Sequence, residues 1–216
     1  MRLEPFDWSV VVIGRWNRAI LTPAGIGKRL FKVDEGTPLE VLIAIDALGP
    51  PLVKHDGLTV VAGSDRLIVR PDLLNGTGIR KSCEIAINAI SSLPETPLTA
   101  VGVNLKYSCG GYFEEIDAAM ACDIDLRAAD LALEPIESQF QKSYKFGDGR
   151  VNLMASIGED GLRTLAFNFE LQNPTKDDHL TWLSTPSEKF LSLVSQISEN
   201  LFQIPKSSIT YEVQTD

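Results

Sequence analysis

Three features of the sequence predict an α+β fold in which amphipathic helices pack on one face of antiparallel sheet. Runs rich in β-branched and aromatic residues alternate with period two and are joined by glycine turns, the pattern of hairpins. Two segments, near 79–92 and 186–202, switch to the 3.6-residue period of a helix with one apolar face. These helices follow runs of strands instead of alternating with them one for one, which favours α+β over a doubly wound sheet. With 216 residues, 44% hydrophobic and 23% charged, the chain can bury a core without staples, and disorder or fibre is excluded.

The elements follow in order. Trp8 to Trp16 reads as a strand. Asn17 to Phe31 holds a short apolar piece, Thr22-Pro23 and two glycines, and so reads as a strand end followed by a loop or short helix. The nearly continuous apolar run Leu39 to Leu48 predicts a central strand, ended by Pro50-Pro51 because neither proline can donate a ladder hydrogen bond. Leu58 to Ala62 and Leu67 to Val69 flank the turn Gly63-Ser64-Asp65-Arg66, which predicts a hairpin. Asp72 to Gly78 is a loop, and Ile79, Cys83, Ala86, Ile87 and Ile90 then fall on one helical face.

Thr99 to Tyr107 alternates as a half-buried strand and stops at Gly110-Gly111. Residues 112–122 and 127–141 read as helical, with Leu131, Leu133, Ile136 and Phe140 as core positions of the second stretch. Val151 to Ile157 and Leu162 to Leu171 form the clearest hairpin. Thr185-Pro186-Ser187-Glu188 has the form of a capping box opening the last helix, with Thr185 as N-cap. Ile209 to Val213 reads as a short edge strand. The expected core comprises Leu42, Ala44, Val60, Ile68, Ile87, Ile90, Val103, Leu105, Phe167, Phe169, Phe190 and Ile197. Strand, hairpin and helix occur in that order twice, so one domain over 1–216 has two candidate halves, 1–97 and 98–216. The second carries a helical insert at about 112–141.

No basic start, long apolar stretch or cleavage site marks a signal peptide, and no run approaches the length that spans a bilayer. Three cysteines without paired spacing (Cys83, Cys109, Cys122) indicate reduced thiols, so a soluble cytoplasmic protein is expected. The net charge of −9 is unevenly spread. Residues 1–108 carry net +1 and residues 109–216 net −10. Arg15, Arg18, Lys28, Arg29 and Lys32 form a basic stretch with no acid inside it. Glu114 to Glu137 holds eight acids, Glu114, Glu115, Asp117, Asp123 and Asp125 among them, against one base, Arg127. Such segments are commonly solvated faces, but their opposite signs also suit association. Overall acidity disfavours nucleic acid, whose binding depends on neutralising phosphates.

Catalytic signals are weak. Thr22 to Arg29 imitates a phosphate loop but lacks its first glycine and the hydroxyl after Gly27-Lys28. Asp123-Ile124-Asp125 lacks the remaining ligands and glycine of a calcium loop. His55 and His179 lie in polar turn-like contexts and read as surface residues, and no ligand spacing suggests zinc. Cys109 is expected to be the most accessible thiol, and Cys83 a small core residue. No cofactor or metal is implied. The sequence therefore points to a binding or protein-interaction module, with a homodimer or a protein partner and without membrane contact. The alternative is an enzyme with a dispersed site, a metal-assisted or His/Cys-based hydrolase or transferase drawing on Asp178, His179, Cys109, or Asp123 and Asp125, with His55-Asp56 a further pair.

Overall fold

The computed structural model describes residues 2–43, 49–172 and 175–210, without the side chains of Asp123, Leu126 and Ala129. Its centre is a nine-stranded antiparallel sheet with helices packed on one face. The first half supplies β1 (Glu4–Gly14), β2 (Glu40–Leu42), β3 (Leu52–His55), β4 (Leu58–Ala62), β5 (Arg66–Pro71) and the helix α2 (Gly76–Ser92). Between β1 and β2 lies α1 (Pro23–Ile26), continued by a π-helical turn, Gly27–Phe31. The second half supplies β6 (Leu98–Gly110), α3 (Glu114–Met120), α4 (Asp123–Ala129), β7 (Ser138–Phe146), β8 (Gly149–Ile157), β9 (Leu162–Gln172), α5 (Lys176–Leu183) and α6 (Ser187–Asn200).

The strand order is β2-β3-β4-β5-β1-β6-β9-β8-β7. Each half thus runs as one long strand, a helical insert, a meander whose last strand returns beside the long one, and then helix: α2 in the first half, α5 and α6 in the second. The two long strands pair with each other, Val10 opposite Val103, and fuse the meanders into one sheet.

Alternation sets the faces, because successive side chains of a strand point to opposite sides. Val53, Val60, Val69, Val10, Val103, Phe169 and Val151 face one another strand by strand, and all are buried. Helix α2 lays Ile79, Ala86, Ala89 and Ile90 on this surface, and α6 lays Phe190, Val194 and Ile197 there. The rings of Phe146, Phe169, Trp182 and Phe190 interlock, with Phe169 and Phe190 centred 5.0 Å apart. Asn75 caps α2, its side chain accepting from the Gly78 amide.

Several expectations are corrected. The run from Leu39 is not a central strand: it gives a three-residue edge strand, where Leu42 is 44% exposed, and residues 44–48, with Ala44, lie outside the described residues. Residues 127–141 are not one helix. Helix α4 ends at Ala129, and residues 138–141 belong to β7, paired with β8. Leu131, Leu133 and Ile136 are exposed because no element packs over that connection among the described residues, while Phe140 is half-buried against Phe202. Ile68 and Ile87 are half-buried, Ile68 because it faces the side of the sheet away from the helices. Thr185 does not cap α6, whose N-cap is Pro186. The capping box is instead at Thr175 and Asp178, opening α5. Ile209 makes a single parallel bridge to Leu3, and residues 211–213 lie outside the described residues. Among the described residues, no helix is long and apolar enough to cross a membrane.

Candidate functional site

The face of the sheet opposite the helices is divided in two. Across β2, β3, β4, β5 and β1, one row reads Leu42, Leu52, Val61, Ile68 and Val11, with each residue opposite the next. None of the five is buried, and Ile13, two residues along β1, is 44% exposed. Side chains of this size in one continuous strip stand apart from the scattered apolar residues found on any surface.

Beyond β1 the face turns polar. Ser9, Asn104, Asn168, Asn152 and Ser143 stand opposite one another on β1, β6, β9, β8 and β7. Their side chains form one hydrogen-bonded chain. The Ser143 hydroxyl donates to Asn152 Oδ1 at 2.6 Å, and Asn152 Nδ2 to Asn168 Oδ1 at 2.8 Å. Asn168 Nδ2 donates to Asn104 Oδ1 at 2.6 Å, and Asn104 Nδ2 to Ser9 Oγ at 3.3 Å. Every link runs the same way, so each amide polarises the next. Two groups of neighbouring charges are paired within the chain. Asp7 receives Lys106 Nζ at 2.8 Å and lies 3.8 Å from Arg70 Nε, and Arg150 pairs with Glu170.

The basic and acidic stretches lie apart. The α1 and π-helical segment packs on α2, which covers β4, β5 and β1, whereas α3 packs on β7 and β8 at the other end of the sheet. Among the described residues, no ion pair joins Arg15, Arg18, Lys28, Arg29 or Lys32 to Glu114, Glu115, Asp117 or Asp125, and the Asp123 side chain is outside them. Asp117 instead ties α3 to the sheet, accepting from Arg163 Nη2 at 3.0 Å. Asp125 accepts from the Cys122 amide at the start of α4. Lys28, Arg29 and Lys32 line a groove of about 760 Å³ together with Asp34, Glu35 and Thr37. A second groove, of about 690 Å³, opens over Phe146, Leu171 and Trp182.

The dispersed catalytic candidates are not assembled. His179 is not a surface residue: it is 1% exposed, because α5 turns it beneath the helix. Burial holds its pKa below the usual imidazole value, against the opposing influence of the Thr175 backbone and Asp178. Asp178 is held low by the Thr175 hydroxyl and amide that it accepts from. Cys109 is buried, since it occupies the helix-covered face of β6, and the exposed thiol is Cys122. Cys83 is buried as expected, and its thiol is pushed up to about 12, chiefly by burial. His55 is partly exposed at the end of β3, edge-on to the Phe31 ring, while Asp56 pairs with Lys81 at 2.7 Å and is lowered by that contact. No hydrogen bond joins His179, Cys109 and Asp125, and no cluster suited to a metal ion occurs among the described residues.

Sequence reasoning missed the amide chain and the aliphatic strip. Asparagines at the polar positions of alternating strands were the available signal. Comparison with known protein families, with curated proteins and with solved structures finds no match to this chain.

Proposed function

We propose that the chain is a protein-interaction module that works through the open face of its sheet, and that its partner is a second copy of itself. The observation that carries this reading is the aliphatic row Leu42–Leu52–Val61–Ile68–Val11, exposed or half-buried on the face away from the helices among the described residues. The surface best matched to such a row is another such row. The charges where the row meets the polar part of the face are paired within the chain, Asp7 with Lys106 and Arg70, and Arg150 with Glu170, so the apolar row carries the contact. A two-fold axis through the row would bury both copies' side chains with one self-complementary patch.

Light scattering at low and high salt tests this. Burial of apolar surface predicts a dimer that persists as salt is raised, because salt screens charges but does not weaken aliphatic contact. Ile68→Lys and Val11→Lys, both on the open face, should give folded monomers. A wild-type monomer at tens of micromolar would end the proposal. A dimer that dissociates in high salt would assign association to the basic and acidic stretches instead.

A further inference from the structure

We propose that the groove beside the π-helical turn binds a small phosphorylated molecule, its phosphoryl group held by Lys28, Arg29 and Lys32. This site is separate from the open sheet face and does not depend on it.

The three cations line one cavity, and none has an ion-pair or side-chain hydrogen-bond partner among the described residues. Unpaired cations exposed singly are unremarkable, but the three that line this cavity of about 760 Å³ outnumber its two carboxylates, Asp34 and Glu35, and leave a net positive field that favours an anion. That volume falls in the range of small-molecule sites.

The wall that carries them is fixed before any ligand arrives. Ile26 and Leu30 are fully buried, and Asn88 Nδ2 of α2 donates to the Leu30 carbonyl at 2.8 Å, tying the π-helical turn to the main helix. A preorganised wall loses less entropy when a ligand docks. The glycines here serve packing and do not cradle an anion. A Cβ on Gly25 would lie 1.9 Å from the Ile20 carbonyl oxygen, and one on Gly27 would lie 2.8 Å from Leu39 Cδ1. Recognition therefore falls to side chains, unlike a phosphate loop built from backbone amides.

The rest of the lining narrows the ligand class. Asp34 and Glu35 belong to the same groove, on the turn closed by the Thr37 amide donating to the Asp34 carbonyl. Two carboxylates would repel a continuous polyanion such as a nucleic acid strand or an anionic membrane. They accept hydrogen bonds from hydroxyls. A phosphomonoester of a small polyol meets both requirements, with its anion at the cations and its hydroxyls at the carboxylates.

The test uses the whole chain and calorimetric titration with glycerol phosphate, inorganic phosphate and glycerol. Saturable binding is expected for glycerol phosphate, weaker binding for phosphate and none for glycerol. Backbone amide shifts on titration should map to residues 24–39. Each of Lys28→Gln, Arg29→Gln and Lys32→Gln should weaken affinity roughly tenfold, and circular dichroism should show each variant folded. No saturable binding overturns the proposal, as does a triple variant that binds like wild type. Binding restricted to anionic vesicles or a single-stranded oligonucleotide also overturns it, by assigning the cations to a polyanionic surface.

Discussion

Replacing Phe169 by alanine removes the ring on which the second half of the core converges. Phe169 is fully buried, with its centroid 5.0 Å from that of Phe190 and 5.5 Å from that of Phe146. Deleting such a ring costs about 3–5 kcal/mol through lost transfer energy and the cavity left behind. The neighbours cannot close that cavity, since Phe190 is anchored on α6 and Phe146 lies at the β7–β8 turn. Against a total stability of about 5–15 kcal/mol, the loss is large. In urea, a loss of about 4 kcal/mol on a slope of about 2 kcal/mol per molar lowers the midpoint by about 2 M. Phe169→Leu keeps most of the apolar volume and loses chiefly the two ring contacts, about 0.5–1.5 kcal/mol each. A double-mutant cycle with Phe190→Leu should return a coupling of similar size. The reasoning is refuted if Phe169→Ala costs less than about 1 kcal/mol. It also fails if the leucine and alanine variants are equally destabilised, because the ring geometry would then count for nothing.

Three further outcomes are expected. His179 has a pKa below 6.5 in the folded chain, so unfolding takes up a proton there once pH falls below that value. Its stabilising contribution is complete above pH 6.5 and declines as pH drops toward the folded-state pKa; urea midpoints across this window should show a steeper acid loss in wild type than in His179→Leu, and parallel curves would refute the assignment. Iodoacetamide should label Cys122 quickly while Cys83 and Cys109 react only on unfolding, which mass spectrometry reads directly; rapid native labelling of Cys83 would contradict its burial. Gly78→Ala places a Cβ 2.1 Å from the Leu73 carbonyl oxygen and should destabilise by more than about 2 kcal/mol. Gly110→Ala, which meets open space, should stay within about 0.5 kcal/mol, with both variants read by urea unfolding.

What the sequence reveals depends on how local each feature is. The hairpins β4–β5 and β8–β9 are legible because period-two alternation on both sides of a short turn leaves one pairing that buries one face. Helices α2 and α6 are legible from their apolar stripes. The connection after α4 misleads because Leu133, Ile136 and Phe140 fall at i, i+3 and i+7, a helical spacing, yet periodicity does not reveal whether a partner surface exists for them. Thr185 and Thr175 both begin a pattern with an acid three residues on, and only backbone geometry shows that Thr175 makes the cap. His179 looks solvated beside Asp177 and Asp178, although on a helix neighbours in sequence point in different directions. The groove cations were visible as charge, but their gathering around one cavity was not. The asparagine chain is the least local feature, since its members come from five strands and meet only when the whole sheet is assembled.

That chain bears on how the strands find their alignment. A slip of one residue between two strands exposes the core, so hydrophobic patterning forbids it. A slip of two residues keeps every apolar side chain on the correct face, and alternation alone tolerates it. Moving β9 two residues along β6 would set Asn168 against Gly102 and Asn104 against Ala166, or, in the other direction, Asn168 against Lys106 and Asn104 against Glu170. One amide would lose its acceptor and another its donor on a half-buried surface, at a cost of about 1–3 kcal/mol for each group left unmatched. The row of asparagines thus works as a vernier: the apolar residues choose the face, and the amides choose which of the permitted even-numbered alignments the strands adopt.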